Sequence, residues 1–298
     1  MRKLLLASVL CFSFVLLAAC GSNDEGNESS GEGEGGDSVL AQLKEEGTVT
    51  VGFANEKPYA YQEDGELKGA AVDIAKAVFA ELGIDNMEGQ LAEFGQLIPG
   101  LNAGKFDVIT AGMAINPDRC KNADFGEPEM MYGEGLVVQE GNPLDLHSYA
   151  DIAENPDATI AIMQGATENE FVKSEGVSDD QIQSAPDVPA TFSAVSSGRA
   201  DATTGTGMSL KKALETSNAE NLELVTDFEQ PDVEGVPSYG AAAFHKDNDE
   251  LRKAYNEKLA ELKASDEFGK ILEANGFSAE TNIAPDDITT EEICNGEI

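Results

Sequence analysis

The chain has 298 residues, with 56 acids against 19 bases for a formal net charge of −37. At 41% hydrophobic it can bury a real core, so wholesale disorder is excluded, and its length allows one or two domains. The acidity excludes a nucleic-acid binder, which needs clustered Lys and Arg for phosphate, and argues against docking on an anionic membrane surface. His147 and His245 are the only histidines, which leaves little room for a histidine-rich metal site.

Residues 1–20 read MRKLLLASVLCFSFVLLAAC. Arg2 and Lys3 form a basic start, and the apolar run Leu4–Leu17 is short for a membrane span. LAAC at 17–20, followed by Gly21, resembles the lipobox of bacterial lipoproteins. That resemblance implies a signal peptide over 1–19 and a lipid on the Cys20 thiol, anchoring the chain outside the cytoplasm. The alternative is an ordinary signal peptide with a chance cysteine. Residues 20–37 read as a flexible tether: Gly, Ser and six acids with no large apolar residue, too little to offset the entropy of ordering. Setting aside the two bases of the signal and the six acids of the tether leaves −33 on residues 38–298.

Strands and helices alternate through the rest. TVTVGFA (48–54) predicts a strand, and AAVDIAKAVFAELG (70–83) predicts a helix ended by Gly83. FGQLIPGLNAGK (94–105) reads as a helix and FDVITAGM (106–113) as a strand. TIAIMQG (159–165) is a strand followed by a helix in ATENEFVKSEG. TFSAVSSGRADATTG (191–205) repeats the helix–Gly–base–x–Asp–strand pattern of LIPGLNAGKFDVITAG. Residues 249–264 and 270–277 are amphipathic helices. The alternation predicts α/β architecture with mostly parallel sheets. The repeat predicts two similar lobes: 38–136 with 239–298, and 137–238. The chain leaves the first near 135–139 and returns near 238–243, which makes a hinge with a cleft between lobes.

Two cysteines remain beyond the tether, Cys120 and Cys294. In an oxidising compartment an even pair reads as one disulfide, the alternative being two free thiols. Closing so long a loop is nominally worth on the order of 4–5 kcal/mol.

VGFANEKPYAY, GAAVDIAKAVFAELG, FGQLIPGLNAGKFDVITAGMAINPDR, MQGATENEF, SSGRADATTGTGMSL and HKDNDELRKAYNEKLAEL, in that order and spacing, resemble the solute-binding receptors of polar amino acid ABC importers. The resemblance spans nearly all of 45–280 and implies the periplasmic-binding-protein-like fold. Within it, FANEKPYAY, EFGQLIPGL, NPDRC and a Cys near the C-terminus are most similar to ectoine and hydroxyectoine receptors.

The resemblance implies a set of ligand contacts. Arg119 in NPDR matches the arginine that holds the ligand carboxylate, where a planar guanidinium offers a bidentate fork. In GATE, Gly165 lets the backbone approach, and Thr167 is read as an N-cap and a ligand donor at a helix start. Glu56 is the candidate partner of a cyclic amidinium, and Tyr59 and Phe94 match aromatic positions that wrap the ring. Gly112 is placed against the ligand as well. Two departures stand out. Ala114 occupies the place of an expected third aromatic, with Tyr132 or Phe125 as possible replacements. Thr206 stands where amino-acid receptors carry the Asp that binds the α-amino group, which argues against an ordinary α-amino acid, since a buried unpaired ammonium is costly.

No nucleophile elbow, phosphate loop or paired-His motif occurs in the sequence, and no cofactor is implied. The expectation is a lipid-anchored, monomeric receptor. It takes a small zwitterion (ectoine or hydroxyectoine, else another zwitterion such as an amino acid or betaine) and hands it to a membrane permease. An enzyme on the same fold is the alternative from another class.

Overall fold

The computed structural model describes residues 38–217 and 219–298. The expected signal peptide, Cys20 and the tether lie outside the described residues. Seven strands precede the first crossing: β1 Thr48–Phe53, β2 Tyr61–Glu63, β3 Glu66–Lys68, β4 Asn86–Leu91, β5 Val108–Ala114, β6 Asp124–Phe125 and β7 Met130–Tyr132. Six follow: β8 Glu134–Gln139, β9 Ile160–Met163, β10 Ile182–Ala185, β11 Ala202–Thr206, β12 Leu222–Leu224 and β13 Ser238–Phe244.

They form two principal sheets. One runs β4-β1-β5-β13-β6 with β7 beside β13, the other runs β10-β9-β11-β8-β12, and β2–β3 is a separate hairpin. The chain passes from the first sheet to the second between Tyr132 and Glu134 and returns between Leu224 and Ser238. This is the periplasmic-binding-protein-like arrangement of two α/β lobes with two crossings.

The sheets are mixed rather than mostly parallel. β1 pairs parallel with β4 and β5, and β9 with β10 and β11. The crossing strands reverse direction: β8 is antiparallel to β11 and β12, and β13 to β5, β6 and β7. A helical crossover returns a strand parallel, whereas a segment entering from the other lobe has no such constraint.

The internal repeat has a physical basis. In the first copy the Asp107 carboxylate accepts from the backbone N of Thr50 at 2.8 Å. In the second, Asp201 accepts from the N of Thr159 at 2.8 Å. Each Asp ties the start of its strand to the strand beside it.

Helix Ala70–Glu81 buries Ile74, Val78 and Phe79 against β5 and the helix Asp249–Lys263, which in turn buries Leu251, Tyr255 and Leu259 against it and against β13 and β6. The 94–105 segment is not one helix. A 3₁₀ turn at Phe94–Gln96 leads into an α-helix at Leu97–Asn102, with Pro99 in its first turn, where no backbone N–H is required. The second-lobe helix begins earlier than expected, at Val188, because Asp187 caps it by accepting from Ala190 N and Pro189 presets its first turn. Cys120 and Cys294 are disulfide-bonded, joining the helix Pro117–Cys120 to the last helix, Thr290–Cys294.

Candidate ligand cleft

The cleft is built from turns and element ends. Glu56 and Tyr59 sit on a tight turn after β1, closed by Glu56 N donating to Ala60 O and Ala60 N donating to Glu56 O, with a cis Lys57–Pro58 bond inside it. Phe94 opens the 3₁₀ turn after β4. Gly112 and Ala114 close β5, and Arg119 follows on a short helix capped by Asn116, whose side chain accepts from Arg119 N at 2.8 Å. Thr167 follows β9, and Thr206 ends β11. These eight residues line one small cavity of about 30 Å³.

Arg119 links both lobes. Its guanidinium donates to Ala114 O at 2.6 Å and, across the cleft, to Gly165 O at 2.8 Å. It also stands 5.3 Å from the Phe94 ring centre, within cation–π range. Gly165 therefore lies on the far side of Arg119, in a wider groove of about 660 Å³ outside the small cavity.

Two further contacts cross the cleft. Tyr59 Oη donates to Thr206 Oγ1 at 3.0 Å, and Ser209 Oγ donates to the Glu56 carboxylate. Burial raises the Glu56 carboxyl to about 7, against the pull of the Ser209 bond. Thr206 also caps the helix Gly207–Thr216 by accepting from Ser209 N.

Tyr132 lines the same cavity as Ala114. Its ring packs edge-on to Tyr59 at 5.2 Å, and its hydroxyl donates to Gly112 O. Gly112 has φ +60°, and a Cβ there would lie 2.4 Å from the Tyr59 ring, so only glycine fits. Phe125 packs in the core beneath β5 and does not line the cavity. Thr167 holds the N-cap place of the helix Glu168–Ser174 but makes no capping bond. Its helical φ −66°, ψ −26° differ from the extended angles that aim a cap side chain at the helix N–H groups.

Sequence reasoning missed two acids. Glu168 lines the cavity, and Glu134 stands opposite Thr206 in the β8–β11 register. Both are 5% exposed. Burial, reinforced by Glu168, raises the Glu134 carboxyl well above the usual range, and burial raises Glu168 too. Thr206 in place of an Asp therefore does not leave the cleft short of carboxyl groups. Glu134 was hidden because the sequence places it at a crossing rather than in a ligand motif.

The model of the bacterial extracellular solute-binding proteins, family 3, matches residues 49–276. The chain belongs to this family. Among solute-binding proteins, a probable amino-acid ABC transporter periplasmic-binding protein of Sinorhizobium fredii is 38% identical over 261 residues, 86% of each chain. The crystal structure of EhuB in complex with hydroxyectoine aligns with TM-score 0.78 and 36% identity, covering 86% of this chain and 97% of that one. An ancestral amino acid-binding protein, a precursor of cyclohexadienyl dehydratase, aligns with TM-score 0.68 and 28% identity over 80% of this chain and 99% of that one. Among the described residues no helix of this solute-binding protein is long and apolar enough to cross a membrane, and no cluster of metal-ligating side chains is found.

Proposed function

We propose that this chain is the receptor of an ABC importer for a small zwitterion of the ectoine class. The observation that carries this reading is the convergence of Arg119, Glu56, Tyr59 and Phe94 on one cavity that both lobes line. An arginine fork suits a carboxylate, a carboxylate suits an amidinium, and aromatic faces suit a diffuse cation between them. The similarity to EhuB, crystallised with hydroxyectoine, supports the choice of ligand. Binding draws the two lobes together, and the closed form docks as a monomer on the permease. A lipid on Cys20 holds the receptor at the membrane.

A second reading has its own observation. Ala114, where an aromatic is expected, and the acids Glu134 and Glu168 favour another zwitterion, such as a polar amino acid or a betaine. A thermal-shift series with ectoine, hydroxyectoine, glycine betaine, proline and polar amino acids separates the two, because a bound ligand raises the melting temperature by mass action. Ectoines are expected to give the largest shift. A shift from glutamine, arginine or betaine with none from the ectoines overturns the first reading. Turnover of any bound compound would assign the fold to catalysis instead.

A further inference from the structure

Three buried carboxyls lie within electrostatic reach of one another beside the cavity, and Arg119 acts on two of them, Glu56 and Glu168. Glu56 comes from the first lobe, while Glu134 and Glu168 come from the second. Both oxygens of Glu134 are buried and no other kind of side chain or backbone group donates to them; the Glu168 carboxyl alone is in hydrogen-bonding reach. Its backbone is held firmly: the Gln230 side chain accepts from Glu134 N at 2.7 Å and donates to Glu134 O at 2.9 Å. The charged and titratable groups around the pair are Glu56, Arg119, Tyr59, Tyr132 and Tyr149. Of these only Arg119 is cationic, and its guanidinium is bonded to Ala114 O and Gly165 O.

Two buried carboxyls side by side do not both ionise without a cation. A chain that needed only packing at this point would do better with an apolar side chain, since an unpartnered buried acid costs stability. A group kept at such cost, beside a cavity that accepts charged ligands, has the character of a binding group.

We propose that Glu134 and Glu168 form a specificity-determining subsite for the cationic end of the ligand. The pair holds one proton between its carboxyls while no cation is present. When the ligand brings a positive charge, that charge takes the place of the proton, which leaves to solvent, and the pair becomes fully ionised. Affinity for cation-bearing ligands then rises with pH. The subsite rests on the reading of this cleft as the ligand site, but it is tested separately from the identity of the ligand.

The test is titration calorimetry on the full chain with hydroxyectoine, glycine betaine, L-glutamine and L-arginine, each at one pH in phosphate and in Tris. Their ionisation enthalpies differ, so proton release shows as a buffer-dependent heat. The wild type is expected to release protons on binding. Glu134→Gln is expected to bind the same probe about tenfold more weakly or worse, a loss of about 1.4 kcal/mol or more, and to release none. Its melting temperature without ligand is expected to hold or rise, because the amide donates to Glu168 where the shared proton did and leaves the charge of the unliganded pair unchanged. A merely structural Glu134 gives the reverse, a lower melting temperature with unchanged proton release. Should Glu134→Gln fail to fold, Glu168→Gln carries the same expectations. Unchanged affinity and unchanged proton release in the variants overturn the subsite. If L-arginine binds and hydroxyectoine does not, the ectoine reading falls and the subsite is decided by the variants with arginine. If no probe binds, both fall.

Discussion

Gly95 and Gly165 meet backbone to backbone across the cleft. A Cβ on Gly165 would lie 2.7 Å from the Gly95 Cα, and Gly165 has φ +83°, where an L side chain is itself strained by about 1–2 kcal/mol. The contact adjoins the Arg119–Gly165 bond, so it sets how near the two lobes come at the point where the arginine bridges them.

Gly165→Ala is therefore expected to disfavour lobe closure without touching either core. Hydroxyectoine affinity should fall about tenfold or more, which is about 1.4 kcal/mol. The unliganded melting temperature should fall by only about 2–8 °C, from the strain at that φ, and small-angle scattering with ligand should stay nearer the unliganded profile than in the wild type. Full affinity in this variant would show that the lobes close without this contact.

Arg119→Ala is expected to remove binding of any carboxylate ligand. Truncating one partner of a buried charge pair typically costs about 2–5 kcal/mol, or roughly 30-fold to several thousand-fold in affinity. Arg119→Lys should recover little, because a point charge does not reproduce the planar fork that spans Ala114 O and Gly165 O. Calorimetry on both variants checks this, and binding retained by Arg119→Ala takes the arginine out of the site.

Much of this cleft was legible from sequence because it lies in short turns with distinctive residues. ANEKPY and NPDR place Glu56, Tyr59 and Arg119 directly after strands that are themselves easy to read. Other parts left weaker traces. β4, NMEGQL, has mostly exposed side chains and almost no apolar signal, and its place comes from its parallel register with β1. The sequence offers no pattern for the antiparallel run of β8 and β13, which follows from the two crossings. Glu134 illustrates the limit. One acid among 56 has no distinguishing neighbours, and only the β8–β11 register sets it opposite Thr206 and near Glu168.

Stability is expected to fall as pH rises through neutrality. Glu129 is 1% exposed in the first lobe, and burial raises its carboxyl to about 7 despite bonds from Tyr255 Oη at 2.8 Å and Ala242 N at 3.3 Å. Glu56 is raised by burial to the same level. An acid whose pKa is higher folded than unfolded binds more protons when folded. Its contribution is thus complete below about 4.5 and is lost as pH climbs through about 7. Each group accounts for on the order of 3 kcal/mol across that window. Melting temperatures from pH 4.5 to 8.5 at fixed salt should decline, and Glu129→Gln should flatten the slope. A melting temperature that climbs over that range contradicts the assignment.

Salt is expected to stabilise the protein. Residues 38–298 carry −33 once the two bases of the signal and the six acids of the tether are set aside, so like charges crowd a folded surface. Screening acts on two opposed contributions. It weakens exposed ion pairs such as Lys57–Glu63 at 2.7 Å and Lys173–Asp179 at 2.9 Å, each worth only about 0.2–1 kcal/mol. It also relieves repulsion among the many acids that have no cation to pair with, since residues 38–298 have far fewer bases than acids. At about 1 M salt the screening length falls to about 3 Å, short enough to uncouple neighbouring surface acids. The second effect outweighs the first, so the melting temperature should rise steadily from low salt to 1 M sodium chloride. Sodium chloride is the right probe, because sulfate also strengthens apolar burial and would raise any protein. Neutralising acids by substitution on the exposed face of Asp249–Lys263, such as Glu257→Gln, should raise the low-salt melting temperature and reduce the salt response together. A melting temperature that falls with sodium chloride would mean that the ion pairs dominate, and that the acidic surface is not held back by its own charge.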